Sequence, residues 1–186
     1  MEITSTGHAG LWIKTLDIKI LCDPWLHKNP KFFKTWSVYP NNNHLDWDRI
    51  IKETDILFIS HIHRDHFDEE FLIELRKKNK DIKVLLPDFR FCTLRDDFEK
   101  IGFNDFILKE LKIGNTTIVT YPSETIDREK EDCCLCVNDG NKTFFNWNDS
   151  TVTPEAKKDV IKRFKKIDWA SGQFSGANWF PTCYNY

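Results

Sequence analysis

The chain has 186 residues, enough for one domain with a substantial core. Its 27 basic and 29 acidic residues leave a net charge of −2, so no global field argues for a nucleic-acid or anionic-membrane partner. No apolar run approaches the length of a membrane span and nothing resembles a signal peptide, so a cytoplasmic protein with reduced cysteines is expected.

In chain order, residues 2–5 read as a strand, followed by the small-residue turn Thr6-Gly7-His8-Ala9-Gly10. Residues 11–16 and 18–21 form a predicted hairpin, closed by Cys22-Asp23-Pro24-Trp25. The long connection over 26–45 carries Phe32, Phe33, Trp36 and Tyr39, a density of aromatics that argues against disorder, and it is expected to act as a pocket lid. A short helix over 46–52 leads to a buried strand over 56–59. The helix over 68–78 then turns Phe71, Leu72 and Leu75 inward. Further strands are predicted at 82–86, 105–108, 111–113, 116–121, 133–138 and 142–146, with a helix over 93–101 capped by Gly102. Thr153-Pro154-Glu155 opens a last helix with Ala156, Val160, Ile161, Phe164 and Ile167 inward, and a strand-like piece precedes an aromatic tail. Cys133, Cys134 and Cys136 read as small buried residues, because adjacent side chains of a strand point to opposite faces. The basic runs at 76–78 and 162–166 read as wet helix faces.

Chemistry concentrates where the strand over 56–59 ends, in Ser60-His61-Ile62-His63-Arg64-Asp65-His66-Phe67-Asp68. Residues two apart in an extended segment point the same way, so His61 and His63 can face one cation, with Asp65 and His66 beyond the bend for a second. Imidazole nitrogens with a hard carboxylate suit zinc, iron or manganese. A carboxylate at another strand end, Asp149, reads either as a bridge between cations or as a turn or helix-cap residue.

The Gly7-His8-Ala9-Gly10 turn, the Ile20-Leu21-Cys22-Asp23-Pro24 strand end, the histidine motif and Asn148-Asp149-Ser150 together resemble the metallo-β-lactamase-fold hydrolases over nearly the whole chain. The resemblance is strongest to the branch of ascorbate-6-phosphate lactonase, N-acyl-phosphatidylethanolamine phospholipase D and the hydrolase-like half of CMP-N-acetylneuraminate hydroxylase, the last also in the tail over 173–184. It implies an α+β αββα sandwich with the site at one edge of two sheets, the chain stopping about where relatives continue. It further implies that His61 and His63 bind a first divalent ion, Asp65 and His66 a second, and that Asp149 bridges them. Asp23 would orient a ligand, Asp65 would also orient the attacking water, and His8 would lie near the substrate. Zinc is the leading expectation, with manganese or iron as alternatives. Two such cations make hydroxide available at neutral pH for hydrolysis of a small ester, lactone or phosphoester, sugar-derived substrates included.

The family usually supplies a further metal histidine between the strands at 116–121 and 133–138, but no histidine follows His66. Glu124 or Asp127 could serve there as oxygen donors, which favours a harder cation such as manganese, but both read first as surface charges; the site is then expected to hold one or two ions, or to be completed by a partner subunit. A degenerate, non-catalytic binding domain and an accessory part of a sialate-hydroxylase-like system are the alternative functions. The latter could not hydroxylate alone, since the Cys-x-His and Cys-x-x-His pairs of a Rieske cluster are absent from these residues.

Overall fold

The computed structural model describes residues 1–91, 93–123 and 131–173, so the expectations placed on Glu124, Asp127, Cys92, Cys183 and the tail lie outside the described residues. Two sheets face one another. The first has six strands in sequence order: β1 (Glu2–Gly7), β2 (Gly10–Lys14), β3 (Lys19–Cys22), β4 (Ile56–Phe58), β5 (Lys83–Leu86) and β6 (Phe106–Leu108). Pairing is antiparallel through β1, β2 and β3, then parallel from β3 to β6. The second sheet runs β11 (Trp169–Ser171), β10 (Thr143–Asn146), β9 (Cys133–Asn138), β8 (Thr116–Pro122) and β7 (Glu110–Ile113), with only the β10/β11 pair parallel.

Helices α1 (Trp47–Glu53), α2 (Glu69–Lys78) and α3 (Thr93–Lys100) join the parallel strands of the first sheet, as parallel pairing requires a crossover. Ile50 and Ile51 of α1, Phe71, Leu72 and Leu75 of α2, and Leu94 and Phe98 of α3 pack into one cluster with the strand residues Leu57, Val84 and Leu85. The same cluster takes Ile118, Cys133, Leu135, Val137 and Phe144 from the second sheet. On the other face of that sheet Cys134, Cys136 and Phe145 pack with Val160 of α4 (Pro154–Phe164). The layers are therefore αββα, and the cysteines of β9 alternate between its two faces as buried free thiols. Among the described residues no helix is long and apolar enough to cross a membrane.

Helix starts follow local chemistry. Asp46, Asp68 and Thr153 cap α1, α2 and α4 by accepting the amides of Arg49, Phe71 and Ala156. The basic runs fall in the last turns of α2 and α4, where positive charge complements the helix dipole. There Arg76 donates to the Gly102 and Lys80 carbonyls, while Arg163 pairs with Glu110 and Asp159.

One expectation is corrected. Ile161 and Ile167 are not inward but 64% and 43% exposed. The buried stripe of α4 is Ala156, Val160 and, partly, Phe164, a strict four-residue spacing that leaves Ile161 about 100° away around the helix. Ile167 lies past the helix, which ends where Lys165 turns to φ 63°, so helical periodicity no longer places it.

Candidate metal centre

The ends of β3, β4 and β10, the β1/β2 turn and the start of β9 meet at one edge of the two sheets. Leu21 and Cys22 lie beside Leu57 and Phe58 in parallel register, so both strands end together. The Asp23 amide extends the pairing by one bond to the Phe58 carbonyl (3.0 Å). Beyond Phe58 the chain leaves the strand conformation and turns at residues 64–66. The His66 and Phe67 amides both bond to the His63 carbonyl, a tight loop that brings four metal-type side chains round one point.

Asp23 sits behind this loop, fully buried. Its Oδ1 accepts the Ser60 amide (2.7 Å), its Oδ2 accepts the Asn148 side-chain amide (2.8 Å), and Oδ2 lies 3.4 Å from His66 Nδ1. His66 Nε2 is thereby turned toward Asp149 Oδ2 (3.6 Å) and Asp65 Oδ2 (3.8 Å). His8 arrives from the β1/β2 turn, and its Nε2 meets Asp65 Oδ2 at 2.9 Å. The turn can come this close because Gly7 takes φ 101° and because a Cβ on Gly10 would run into Thr6 Oγ1 and the Gly7 carbonyl. His61 Nε2 and His63 Nδ1 approach to 2.7 Å.

Two groups of donors result, each within metal-binding reach: His8, Asp65 and His66, and His61, His66 and Asp149. His66 belongs to both. Of the expected pairs, Asp65 and His66 fall in one group, which also takes His8; His61 groups with His66 and Asp149 and not with His63, which is in neither group, and Asp149, 39% exposed, lies on the solvent side. Thr153, not Asp149, caps α4. His8, Asp23 and Asn148 all have left-handed backbones at φ 53°, 40° and 46°. For residues other than glycine such conformations cost of order 1–3 kcal/mol each and persist where surrounding contacts impose them.

The electrostatics fit cation binding. Burial, helped by the neighbouring His66 and His63, holds His61 well below the ordinary imidazole range, so it is a neutral donor. Burial also works against charge on His66, but Asp149 and Asp23 override it and raise the imidazole well above that range. For Asp65 burial is likewise opposed, here by His8 and by the charge of His66, and the carboxyl stays well below its usual value. Three carboxylates, Asp23, Asp65 and Asp149, therefore converge on one imidazole, an accumulation of negative charge that a cation between them would neutralise.

Several residues of this edge carried no role in the sequence reading. Asp132, partly buried just before β9, places Oδ1 3.5 Å from His61 Nδ1. Burial raises it to about 8, with the Asp23 and Asp149 charges adding and the Cys133 amide and His66 opposing. Ser60 Oγ lies 2.9 Å from His61 Nδ1 and 3.3 Å from His66 Nδ1. Asn148 ties β10 to Asp23. The available signal was a polar residue flanking each buried strand end.

The long loop packs its base against this edge. Asp68, the α2 cap, accepts the Leu26 amide, the Asn29 side chain and the Lys31 ammonium (2.7 Å), all buried. Residues 30–34 line a cavity of about 740 Å³ together with Ile62, Arg64 and Phe67 of the histidine loop and residues of α2 and α3. The metal-type side chains themselves do not line it.

Fold and site together define an αββα protein with a histidine and aspartate cluster at the sheet edge. Residues 2–153 match the family model described as Beta-lactamase superfamily domain, and the chain belongs to that family. It is 38% identical over 195 residues to a Mycolicibacterium smegmatis protein named "Putative Rieske 2Fe-2S iron-sulfur protein", a match covering 100% of this chain and 36% of the relative. A cytidine monophosphate-N-acetylneuraminic acid hydroxylase of Asterias rubens is 36% identical over 89 residues, 47% of this chain and 13% of that protein. Among solved structures, the diiron β-hydroxylase CmlA of Streptomyces venezuelae superposes with a TM-score of 0.68 at 22% identity, over 90% of this chain and 33% of that one. The isothiocyanate hydrolase from Delia radicum gut bacteria gives 0.62 at 20% identity, over 89% and 68%. These likenesses show a shared fold. The chain spans about a third of the length of the iron–sulfur relative.

Proposed function

We propose that this chain is a metal-dependent hydrolase domain acting on a small ester, lactone or phosphoester. The observation that carries the reading is the pair of donor groups sharing His66 at the edge of a fold that also serves a hydrolase. His8 and Asp65 would hold one divalent ion and His61 and Asp149 another, with His66 giving its one outward-facing nitrogen to either of them and His63 adjoining His61. Bound there, zinc, manganese or iron would supply the Lewis acidity that ionises water near neutral pH and polarises the scissile group. The protein's own part is orientation. Asp23 holds His66 from behind, and the His8 contact fixes the Asp65 carboxylate where it can align a water or take its proton. The 740 Å³ cavity beside the loop, walled by Phe32, Phe33 and Arg64, is the place we assign to the substrate's remote part, with the 26–45 loop as lid.

A second reading is favoured by the iron–sulfur relative, which matches along the whole of this chain. In it, the same donors bind iron as one part of a larger oxygenase. Elemental analysis of protein purified without chelator or affinity tag, followed by turnover screens, separates the two. Near two equivalents of metal with hydrolysis of model phosphodiesters or lactones supports the first. Activity confined to iron(II), oxygen and a reductant supports the second. Absence of metal uptake, even after incubation with zinc, manganese or iron, refutes both.

A further inference from the structure

The cavity of about 740 Å³ beside the histidine loop has its own recognition chemistry. Its apolar side is made by Phe32 and Phe33 of the long loop, Ile62 and Phe67 of the histidine loop, and Ile101 after α3. Phe33 is 85% exposed, yet its backbone is tightly fixed. Phe32, Phe33 and Lys34 follow one another in left-handed conformation, at φ 50°, 60° and 64°, a costly run for residues with side chains. The run is closed by two bonds between the Lys31 and Trp36 backbones, at 2.9 and 3.2 Å, and by the Thr35 amide on the Phe32 carbonyl. Strain of this kind collects at ligand clamps. Of the charged side chains lining the cavity, Lys31 is held by Asp68 and Lys100 by Asp97. Glu69 and Glu70 lie in the first turn of α2, where negative charge complements the helix dipole. The exposed side chains of Arg64 and Lys34 make no ion pair or hydrogen bond to a described residue. Arg64 precedes Asp65 and His66, so the turn that aims those two at the metal-type cluster leaves this guanidinium on the cavity.

We propose that this cavity binds a ligand with an apolar body and an anionic end, a carboxylate or a phosphate ester, and that Arg64 receives the anion with Lys34 in support. The proposal deepens the assignment of the cavity to the substrate, and as a statement about substrate it rests on that reading. A guanidinium presents a rigid fork of donors that matches either anion with two parallel bonds, and it stays charged at every working pH. The rings of Phe32, Phe33 and Phe67 offer apolar faces to the rest of the ligand, and covering Phe33 takes an exposed ring out of water. The strained run holds Phe33 and Lys34 in place beforehand, so that little ordering remains to be done on binding. An anion on Arg64 ties the ligand to the loop that carries the metal-type donors. Glu69 and Glu70 would select an amine instead, and the experiment sets the two preferences against each other.

Saturation-transfer NMR titrations of the protein as purified, with probes that share one apolar body, test this directly: 4-phenylbutyrate, 4-phenylbutyl phosphate, 4-phenylbutan-1-ol and 4-phenylbutylamine. Both anions should bind about 10- to 100-fold more tightly than the alcohol, and the amine no more tightly than the alcohol. Arg64→Met should bring the anions to the level of the alcohol, and Lys34→Met should weaken them by a smaller factor. Phe33→Ala should weaken anions and alcohol alike. Arg64 is exposed, so its variant should keep the wild-type melting temperature and the comparison stays valid. An amine that binds most tightly overturns the proposal in favour of Glu69 and Glu70. Equal binding of all four probes, binding of none, or unchanged anion binding in Arg64→Met also overturns it. Anion binding that survives Arg64→Met but is abolished by EDTA overturns it by making a bound metal the receiver. Because binding is read without turnover, the two readings fail separately. The Arg64 result can fail while metal uptake and hydrolysis stand, and metal uptake can fail while Arg64-dependent binding stands.

Discussion

Asp23→Ala is the most informative single change outside the metal-type side chains. The carboxylate is fully buried, accepts the Ser60 amide at 2.7 Å and the Asn148 side chain at 2.8 Å, and backs His66 at 3.4 Å. Hydrogen bonds to a charged group contribute about 1.5–3 kcal/mol each, and removing the acceptor strands two buried donors, so the loss is roughly 3–6 kcal/mol. The left-handed backbone at φ 40° stays strained with alanine in place, so no relief offsets that loss. At about 2–4 °C per kcal/mol for a chain of this size, the melting temperature should fall by roughly 6–24 °C. Zinc affinity should also drop about 10- to 100-fold, because His66 loses the group that orients it. Urea unfolding and differential scanning calorimetry read the first effect and chelator competition the second. A stability change below about 1 kcal/mol would refute the claim that Asp23 joins the strand ends. A normal zinc affinity in the folded variant would refute its hold on His66.

The other predictions concern the ligands, the loop and acid stability. His63→Ala should lower metal content while leaving unfolding within about 0.5 kcal/mol of wild type, as expected for a half-buried loop residue outside the core; global unfolding would count against its assignment. Asp149→Asn should weaken loading of the second ion, and unchanged metal stoichiometry and affinity would leave the carboxylate only a turn residue. Lys31→Met breaks a buried ion pair and should cost about 3–5 kcal/mol in urea unfolding, with earlier proteolysis within 26–45; a neutral result would mean that the Leu26 amide and Asn29 suffice for Asp68. Glu53, hydrogen-bonded to Arg49 and Lys19, is lowered from its usual 4.5 to about 2. Its folded-state value is depressed, so its contribution is present above pH 4.5 and is lost as pH falls toward 2. Glu53→Gln should therefore differ from wild type at pH 7 and converge with it near pH 2; a constant gap across that range would show that the charge is irrelevant.

What the sequence determined was everything carried by neighbours along the chain. Alternating and helical apolar spacing placed the strands and helices, since those periods follow from backbone geometry alone. Asp46, Asp68 and Thr153 announced helix starts because an N-cap bonds to an amide only three residues on. The histidine motif was visible for the same reason: four donor side chains within six positions need no distant partner to be recognised. Local periodicity failed at Ile161 and Ile167, where tertiary contact decided which face of α4 was covered and where the helix ended.

Only the folded structure decided which side chains meet. His8 and Asp65 are 57 residues apart in the chain, and Asn148 and Asp23 are 125 apart. Their contact depends on β3 and β4 ending in common register and on β9 and β10 meeting at the same edge, an outcome of pairing across and between the sheets. No spacing rule ties Asp132 to His61, because the strand that delivers one and the loop that carries the other belong to different sheets. Sequence spacing expresses the geometry of a single turn or pleat. Burial, the pairing of carboxylates behind imidazoles, and the shifts in proton affinity arise only when separate elements exclude water between them.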